Sequence, residues 1–290
     1  MEDLIVIGST GFTGKRLCGA LQERGLAFDA LVREASDTSV VSRFCSRLVR
    51  CDLTNENELF SILSRYRKCV HIPDLSAIKN TKSYISVFER AGLEKVAFVS
   101  STNMFTKLAA PTKPFREAAE IAIKSSGLNY VIIRPTMIYG GLDDINVSRL
   151  MKLIKRWPLL PLFNAGRALQ QPIFVEDHAQ ALVDVIMSER TDRKIYNVSG
   201  PMPMPFREMV EKIGNAVGKS PKFVTLPVRP VYAVARLLEK LKVPIPFRSE
   251  QFLRLLEDKN FDHDAAAADF GFKPRSFEEG LRVGFNVKDK

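Results

Sequence analysis

The first half of the chain alternates short, unbroken apolar runs with longer stretches whose apolar residues recur three and four apart. The runs are Leu4–Ile7, Ala27–Val32, Leu48–Cys51, Cys69–Ile72, Lys95–Ser100 and Tyr130–Arg134. Runs this short suit strands, and the spacing between them predicts amphipathic helices over Lys15–Arg24, Glu56–Arg65, Thr81–Ala91 and Phe115–Ser126. Strands apolar throughout, rather than at alternate positions, belong to a sheet covered on both faces. Strand and helix in regular alternation predict an α/β fold with a doubly wound parallel sheet.

After Pro135 the texture changes. Val147–Arg156 has helical spacing and stops at Trp157-Pro158, and Leu159–Phe163 is apolar but punctuated by proline. Gln171–Val175, Lys194–Val198 and Lys222–Leu226 read as strands. Asp177–Ser188, with Asp177 as its cap, and Pro205–Val217 read as helices, separated by a loop at Pro201, Pro203 and Pro205. Val231–Leu241 is a basic amphipathic helix, Val243–Phe247 is broken by prolines, and Ser249–Asp258 is a second amphipathic stretch. The expected organisation is a single unit over 1–290. Its sheet-bearing core, the part read as dinucleotide-binding from the turn at Gly8, Gly11 and Gly14, spans 1–140 and is completed by about 170–200. A smaller C-terminal α/β subdomain, for substrate or lid, takes 141–169 and 201–290.

The most specific chemical signal stands at the start. Gly8-Ser9-Thr10-Gly11-Phe12-Thr13-Gly14 lies directly between the first strand and the first helix. That context turns three glycines into a dinucleotide-binding turn. Gly8 permits the tight exit from the strand, Gly11 lets backbone approach a pyrophosphate, and Gly14 lets the helix pack close. The free N–H groups and positive end of the helix then face the phosphates, with Thr10 and Thr13 adding hydroxyls.

Composition narrows the class without fixing it. With 290 residues, 46% of them hydrophobic, the chain can bury a sizeable core. No apolar run is long enough to cross a bilayer. The acidic N-terminus enters a strand at once, unlike a signal peptide, so a cytoplasmic location is expected. Cys18, Cys45, Cys51 and Cys69 show no metal-ligand spacing and read as reduced, packed thiols. His71, His178 and His263 are too scattered for a metal site. The net charge of +10 suits a solvated cationic surface, an acidic partner, an anionic membrane or a phosphorylated ligand. No nucleic-acid recognition motif accompanies it.

Several runs together resemble the extended and atypical short-chain dehydrogenase/reductases, the epimerase/dehydratase group. They are the glycine turn, Asp52-Leu53-Thr54, Val99-Ser100-Ser101-Thr102, Arg134-Pro135-Thr136-Met137-Ile138-Tyr139-Gly140 and Phe174-Val175-Glu176-Asp177-His178-Ala179. Asp269–Pro274 followed by Phe277–Leu281 is similar to the group's usual ending. Within the group the chain looks closest to the atypical branch that contains the accessory subunit of respiratory complex I. The resemblance implies a Rossmann-type sheet and an NAD(P) cofactor held by Gly8, Thr10, Gly11, Phe12, Thr13, Gly14, Arg33, Asp52, Leu53, Ser100 and Pro135. Arg33 at the end of the second strand suits a 2′-phosphate, so NADP(H) is expected ahead of NAD(H), with Glu34 beside it arguing the other way.

The group's Tyr-x-x-x-Lys pair does not follow. At the matching stretch Phe115 stands where the tyrosine is expected and Ala119 where the lysine is expected. Phenylalanine has no acidic hydrogen and alanine no charge, so the usual proton relay is absent. Thr102, Lys113 and Arg116 remain as substitute catalytic groups; Tyr139 and His178 read as packing residues. The expected function is therefore NADP(H) binding with little or no standard turnover, in a structural, sensing or accessory role. The alternative is an active oxidoreductase or epimerase with another proton donor, acting on a hydrophobic, isoprenoid-like small molecule. Val231–Leu241 and Phe247–Leu256, with Arg236, Lys240, Lys242 and Arg254, suit either a lid over the cleft or peripheral contact with a membrane or protein complex.

Overall fold

The computed structural model describes residues 2–78, 80–108, 110–157, 159–241 and 253–287. The proline-broken run 243–247 and the first part of the stretch 249–258 lie outside the described residues. The core is one seven-stranded sheet whose paired strands all run parallel. It is formed by β1 (Glu2–Ile7), β2 (Asp29–Val32), β3 (Arg47–Arg50), β4 (Tyr66–His71), β5 (Lys95–Val99), β6 (Tyr130–Pro135) and a late strand, β11 (Lys194–Val198). The order is β11-β6-β5-β4-β1-β2-β3. Winding thus runs outward from β1 to β3, then returns to β4 on the other side. A crevice opens at the carboxyl ends of β1 and β4, where such sheets take ligands.

The continuous apolar runs are explained by the two faces. Leu4 and Val6 of β1 point into one core cluster, Ile5 and Ile7 into the other. The first cluster is closed by α1 (Phe12–Glu23) and α6 (Val175–Met187). The second is closed by α2 (Glu56–Leu63), α3 (Thr81–Arg90) and α4 (Lys113–Ser125). All four cysteines are unpaired, and Cys18, Cys51 and Cys69 are buried.

The remaining chain packs a third cluster around Tyr139 and Phe174. It draws on α5 (Val147–Arg156), α7 (Phe206–Ala216) and a late helix over Phe277–Phe285. Short pairs tie it together. They are β7 (Ile138–Tyr139) with β10 (Ile173–Phe174), β8 (Leu159–Phe163) with β13 (Lys222–Leu226), and β9 (Leu169–Gln170) with β12 (Met204–Pro205). The proline-punctuated run is thus a strand. Leu160 and Leu162 are its buried positions while Leu159 and Pro161 face out. The helix α8 (Val228–Lys240) follows β13, and α9 (Asp264–Phe270) and α10 (Phe277–Phe285) close the described chain.

One expectation at the start of α6 is corrected and another, His178 as a packing residue, agrees with the structure. Asp177 is not its cap: the helix begins at Val175, and no side chain caps it. The Asp177 carboxylate instead accepts the backbone N–H of Arg275 at 2.9 Å and its Nε at 2.8 Å, pinning the C-terminal segment. His178 is fully buried, and both ring nitrogens lack partners among the described residues. Burial pushes its pKa down to about 3, so it is a neutral core residue.

Candidate functional site: a dinucleotide cleft opening on an apolar cavity

The glycine turn has the geometry its sequence demands. Gly8 sits at φ +86°, a conformation that disfavours a side chain, and a Cβ there would lie 3.0 Å from Pro73 Cδ. A Cβ on Gly14 would come within 2.2 Å of Gly8 O, so only glycine lets α1 start this close to β1. Gly11 differs: a Cβ there would meet only Gly8 O at 3.4 Å and otherwise points into open space. Helix α1 starts with no side-chain cap and no acid in its first turn, so its N–H groups face outward without a side-chain acceptor. Ser9, in the turn, carries a buried hydroxyl with no hydrogen-bond partner among the described residues. The turn thus offers an anion the donors and the backbone access it needs. A pyrophosphate fits it.

The other cofactor candidates lie at the carboxyl ends of neighbouring strands. Arg33 is exposed just past β2 and forms no ion pair among the described residues. Its neighbour Glu34 is engaged by Arg50, whose Nη1 donates to Glu34 O at 2.6 Å. Past β3, the exposed Asp52 accepts the Thr54 N–H at 2.9 Å, and this backbone bond holds its carboxyl below the usual range. Leu53 packs against the core beside it. Ser100 and Pro135 line a cleft of about 560 Å³ together with Phe12, Thr13 and Thr102. Ser100 Oγ donates to Glu120 Oε1 at 2.7 Å, and Glu120 also receives the Arg134 guanidinium, Nε to Oε1 at 2.9 Å. This buried pair fixes the spacing between β5, β6 and α4.

The wall supplied by α4 presents neither Phe115 nor Ala119 to the cleft. Phe115 is 53% exposed and does not line the cleft. Ala119 is fully buried in the core against the sheet. The α4 side chain that does line the cleft is Arg116. Burial of Ala119, Glu120 and Ile123 sets which face of α4 meets the sheet. Arg116 lies on that face, and Phe115 is about 100° of helix rotation away from it. Arg116 grips Asp74, past β4, through Nη2–Oδ2 at 2.7 Å and Nε–Oδ1 at 3.2 Å, and its Nη1 donates to Thr112 Oγ1 at 2.9 Å. Burial raises the Asp74 carboxyl, but the Ser76 N–H and the Arg116 guanidinium outweigh it and hold it below the usual range.

The other two substitute catalytic groups divide. Thr102 lines the cleft, yet its hydroxyl donates to Pro135 O at 3.1 Å, which leaves it an acceptor. Lys113 does not line the cleft; its ammonium is held by Thr106 O at 2.8 Å. Sequence reasoning missed Lys259, which does line it. It falls one residue beyond the amphipathic stretch 249–258, and no chemical motif marks it. The cleft opens past Thr102, Asn103 and Lys259 into a cavity of about 1140 Å³. The walls there are mainly apolar: Phe105, Leu153, Trp157, Leu160, Phe163 and Phe261 among them.

A parallel sheet that reverses its winding beside a glycine-lined helix start defines a Rossmann-type NAD(P)-binding protein. The chain belongs to the NAD-dependent epimerase/dehydratase family, whose model matches residues 4–199. It is 23% identical to the Arabidopsis thaliana mitochondrial NADH dehydrogenase [ubiquinone] 1 alpha subcomplex subunit 9, over 92% of this chain and 71% of that protein. It is 22% identical to 2-alkyl-3-oxoalkanoate reductase of Stenotrophomonas maltophilia, over 96% and 97%. Among solved structures, that of gox2253 superposes with a TM-score of 0.81 at 18% identity, covering 99% of this chain and 98% of the other. No helix among the described residues is long and apolar enough to cross a membrane.

Proposed function

We propose that this chain binds NADP(H) and turns it over slowly if at all, the cofactor serving a structural, sensing or accessory role. One observation carries the reading. The α4 side chain that faces the cleft is Arg116, and the helix presents neither a tyrosine nor a lysine there; Thr112, just before the helix, accepts from Arg116. On this reading Arg116 takes the place of the relay's lysine and Thr112 that of its tyrosine. Threonine is too weak an acid for the tyrosine's task, and Arg116 is already committed to Asp74. The glycine turn would hold the pyrophosphate, Arg33 the 2′-phosphate, and Asp52 and Leu53 would flank the adenine. A bound nicotinamide dinucleotide supplies hydride chemistry; the residues here supply position and exclude water without a tuned acid. The relative that is a subunit of an NADH dehydrogenase by name supports an accessory role within a complex. The exposed Val234 and Leu237 of α8, beside Arg236 and Lys240, are a candidate contact face.

The test is single-turnover oxidation of bound NADPH with a panel of ketones and quinones. The unaltered protein should be slow, and Thr112→Tyr with Arg116→Lys should gain about 10²–10⁴-fold, the usual worth of general acid–base help. Fast turnover by the unaltered protein would overturn the reading. The apolar cavity favours a second one, a reductase for a hydrophobic small molecule with a different proton donor. The relative named for an alkyl-bearing oxoalkanoate is consistent with it.

A further inference from the structure

Only two cationic side chains stand among the described residues that line the cofactor cleft, Arg116 and Lys259. Arg116 is spent on Asp74 and Thr112. Lys259 lines both the cleft and the apolar cavity, so it marks the seam between them. Its backbone is fixed there, donating N–H to Leu169 O at 2.8 Å. Its ammonium makes one long bond, to Arg254 O at 3.3 Å, and forms no ion pair among the described residues. The neighbouring acids are occupied elsewhere. Glu257 accepts from Thr106 Oγ1 at 2.5 Å and from Lys107 N at 2.8 Å. Asp258 accepts from Leu169 N at 2.8 Å. A half-buried ammonium with three donors and, among the described residues, a single weak acceptor has unused capacity. Burial holds it below the ordinary lysine range, with Glu257 pulling it up and Arg254 down.

The cavity on the other side lacks a lining of its own size. Phe105, Leu153 and Trp157 are 44%, 41% and 55% exposed although they form its wall. The Phe105 and Phe261 rings stand 5.5 Å apart beside the Lys259 end. An apolar body placed there removes these surfaces from water, which is favourable in proportion to the area covered.

We propose that Lys259 is the polar anchor of a ligand site in which an apolar chain or ring system fills the cavity and one of its oxygens, carbonyl or carboxylate, accepts the Lys259 ammonium at the mouth of the cofactor cleft. The position of that oxygen deepens the dinucleotide reading, on which it rests: the polar end of the ligand faces the cofactor and the apolar end faces away. Lys259 thereby selects for ligands with a single acceptor at one end of an apolar body. It is a binding and orienting group at the seam between cleft and cavity.

The experiment uses the full chain with three probes: dodecanoate, the neutral ketone 2-tridecanone, and the oxygen-free fluorophore 1,6-diphenylhexatriene. Fluorophore binding reports on the cavity, and displacement gives the affinity of the other two. Lys259→Met should weaken at least one oxygen-bearing probe roughly tenfold or more, the range of a charge-assisted hydrogen bond, and leave the fluorophore within about twofold. Lys259→Gln, which keeps a neutral donor, separates the sources. Rescue of the ketone alone marks a carbonyl site, and loss of dodecanoate with no ketone dependence marks a carboxylate site. Unchanged affinity for both oxygen-bearing probes in both variants overturns the proposal, as does failure of the unaltered protein to bind the fluorophore. NADPH titration of the same variants is the separate readout. Failure of the unaltered protein to bind NADPH would sink the dinucleotide reading while the probe data still decide the role of Lys259.

Discussion

At the residue scale, two glycines of one turn should behave differently. Gly14→Ala forces a methyl group against Gly8 O and the Ser9 backbone. It should destabilise the fold by about 1–3 kcal/mol, as overpacking does, visible as a lower melting temperature. Gly11→Val meets no such wall; its cost falls on the phosphates. Arg33→Ala should lose about 1.5–3 kcal/mol of affinity for NADPH, a charged hydrogen-bond magnitude, with little change for NADH. Equal losses for both would show that Arg33 does not read the 2′-phosphate. Arg134 tests the scaffold behind the cleft. Its partner Glu120 is 1% exposed, so Arg134→Met strands a buried carboxylate. The expected loss is about 3–5 kcal/mol in urea unfolding; a change under about 1 kcal/mol would mean the pair does little for stability.

At the scale of elements, α6 and β4 each bury a histidine. Burial pushes His71 down to about 4 and His178 to about 3, so both are neutral in the folded protein. The unfolded chain takes up protons near the ordinary value of about 6.5. Below that pH the unfolded state binds more protons than the folded one, so stability falls as pH falls. Between about pH 6 and 5 each histidine should approach a loss of about 1.4 kcal/mol per unit. Chemical denaturation of His178→Leu across that range should show a visibly shallower slope, and an unchanged slope would mean that His178 is not the buried neutral group described. Elements also show where sequence reading stops. The strands of the main sheet were legible because burial on both faces leaves unbroken apolar runs. β8 was obscured because Pro161 falls on an outward position that periodicity alone reads as a break. The face of α4 was set by which residues the sheet buries, Ala119 and Glu120, and a four-residue spacing counted from Phe115 cannot reveal that. Lys259 reached the cleft through tertiary packing alone, far along the chain from Phe12 and Thr13, which line the same cleft.

At the scale of the molecule, the fold places a glycine-lined anion cradle, a cleft walled by α4, and an apolar cavity in one line. The first was plain from sequence, since strand, glycines and helix are contiguous. The other two join residues far apart in the chain, Thr13 and Lys259 in the cleft and Lys107 and Glu257 beside the cavity among them, and had no contiguous trace. The central claim is that the cradle holds a phosphorylated nicotinamide dinucleotide. Calorimetric titration of the full chain with NADPH, beside NADH and the Gly11→Val variant, tests it most directly. The account predicts saturable binding, tighter for NADPH than for NADH, and abolished in Gly11→Val at an unchanged melting temperature. Folded protein that binds neither dinucleotide, or a Gly11→Val variant that binds NADPH as well as the parent, would contradict it.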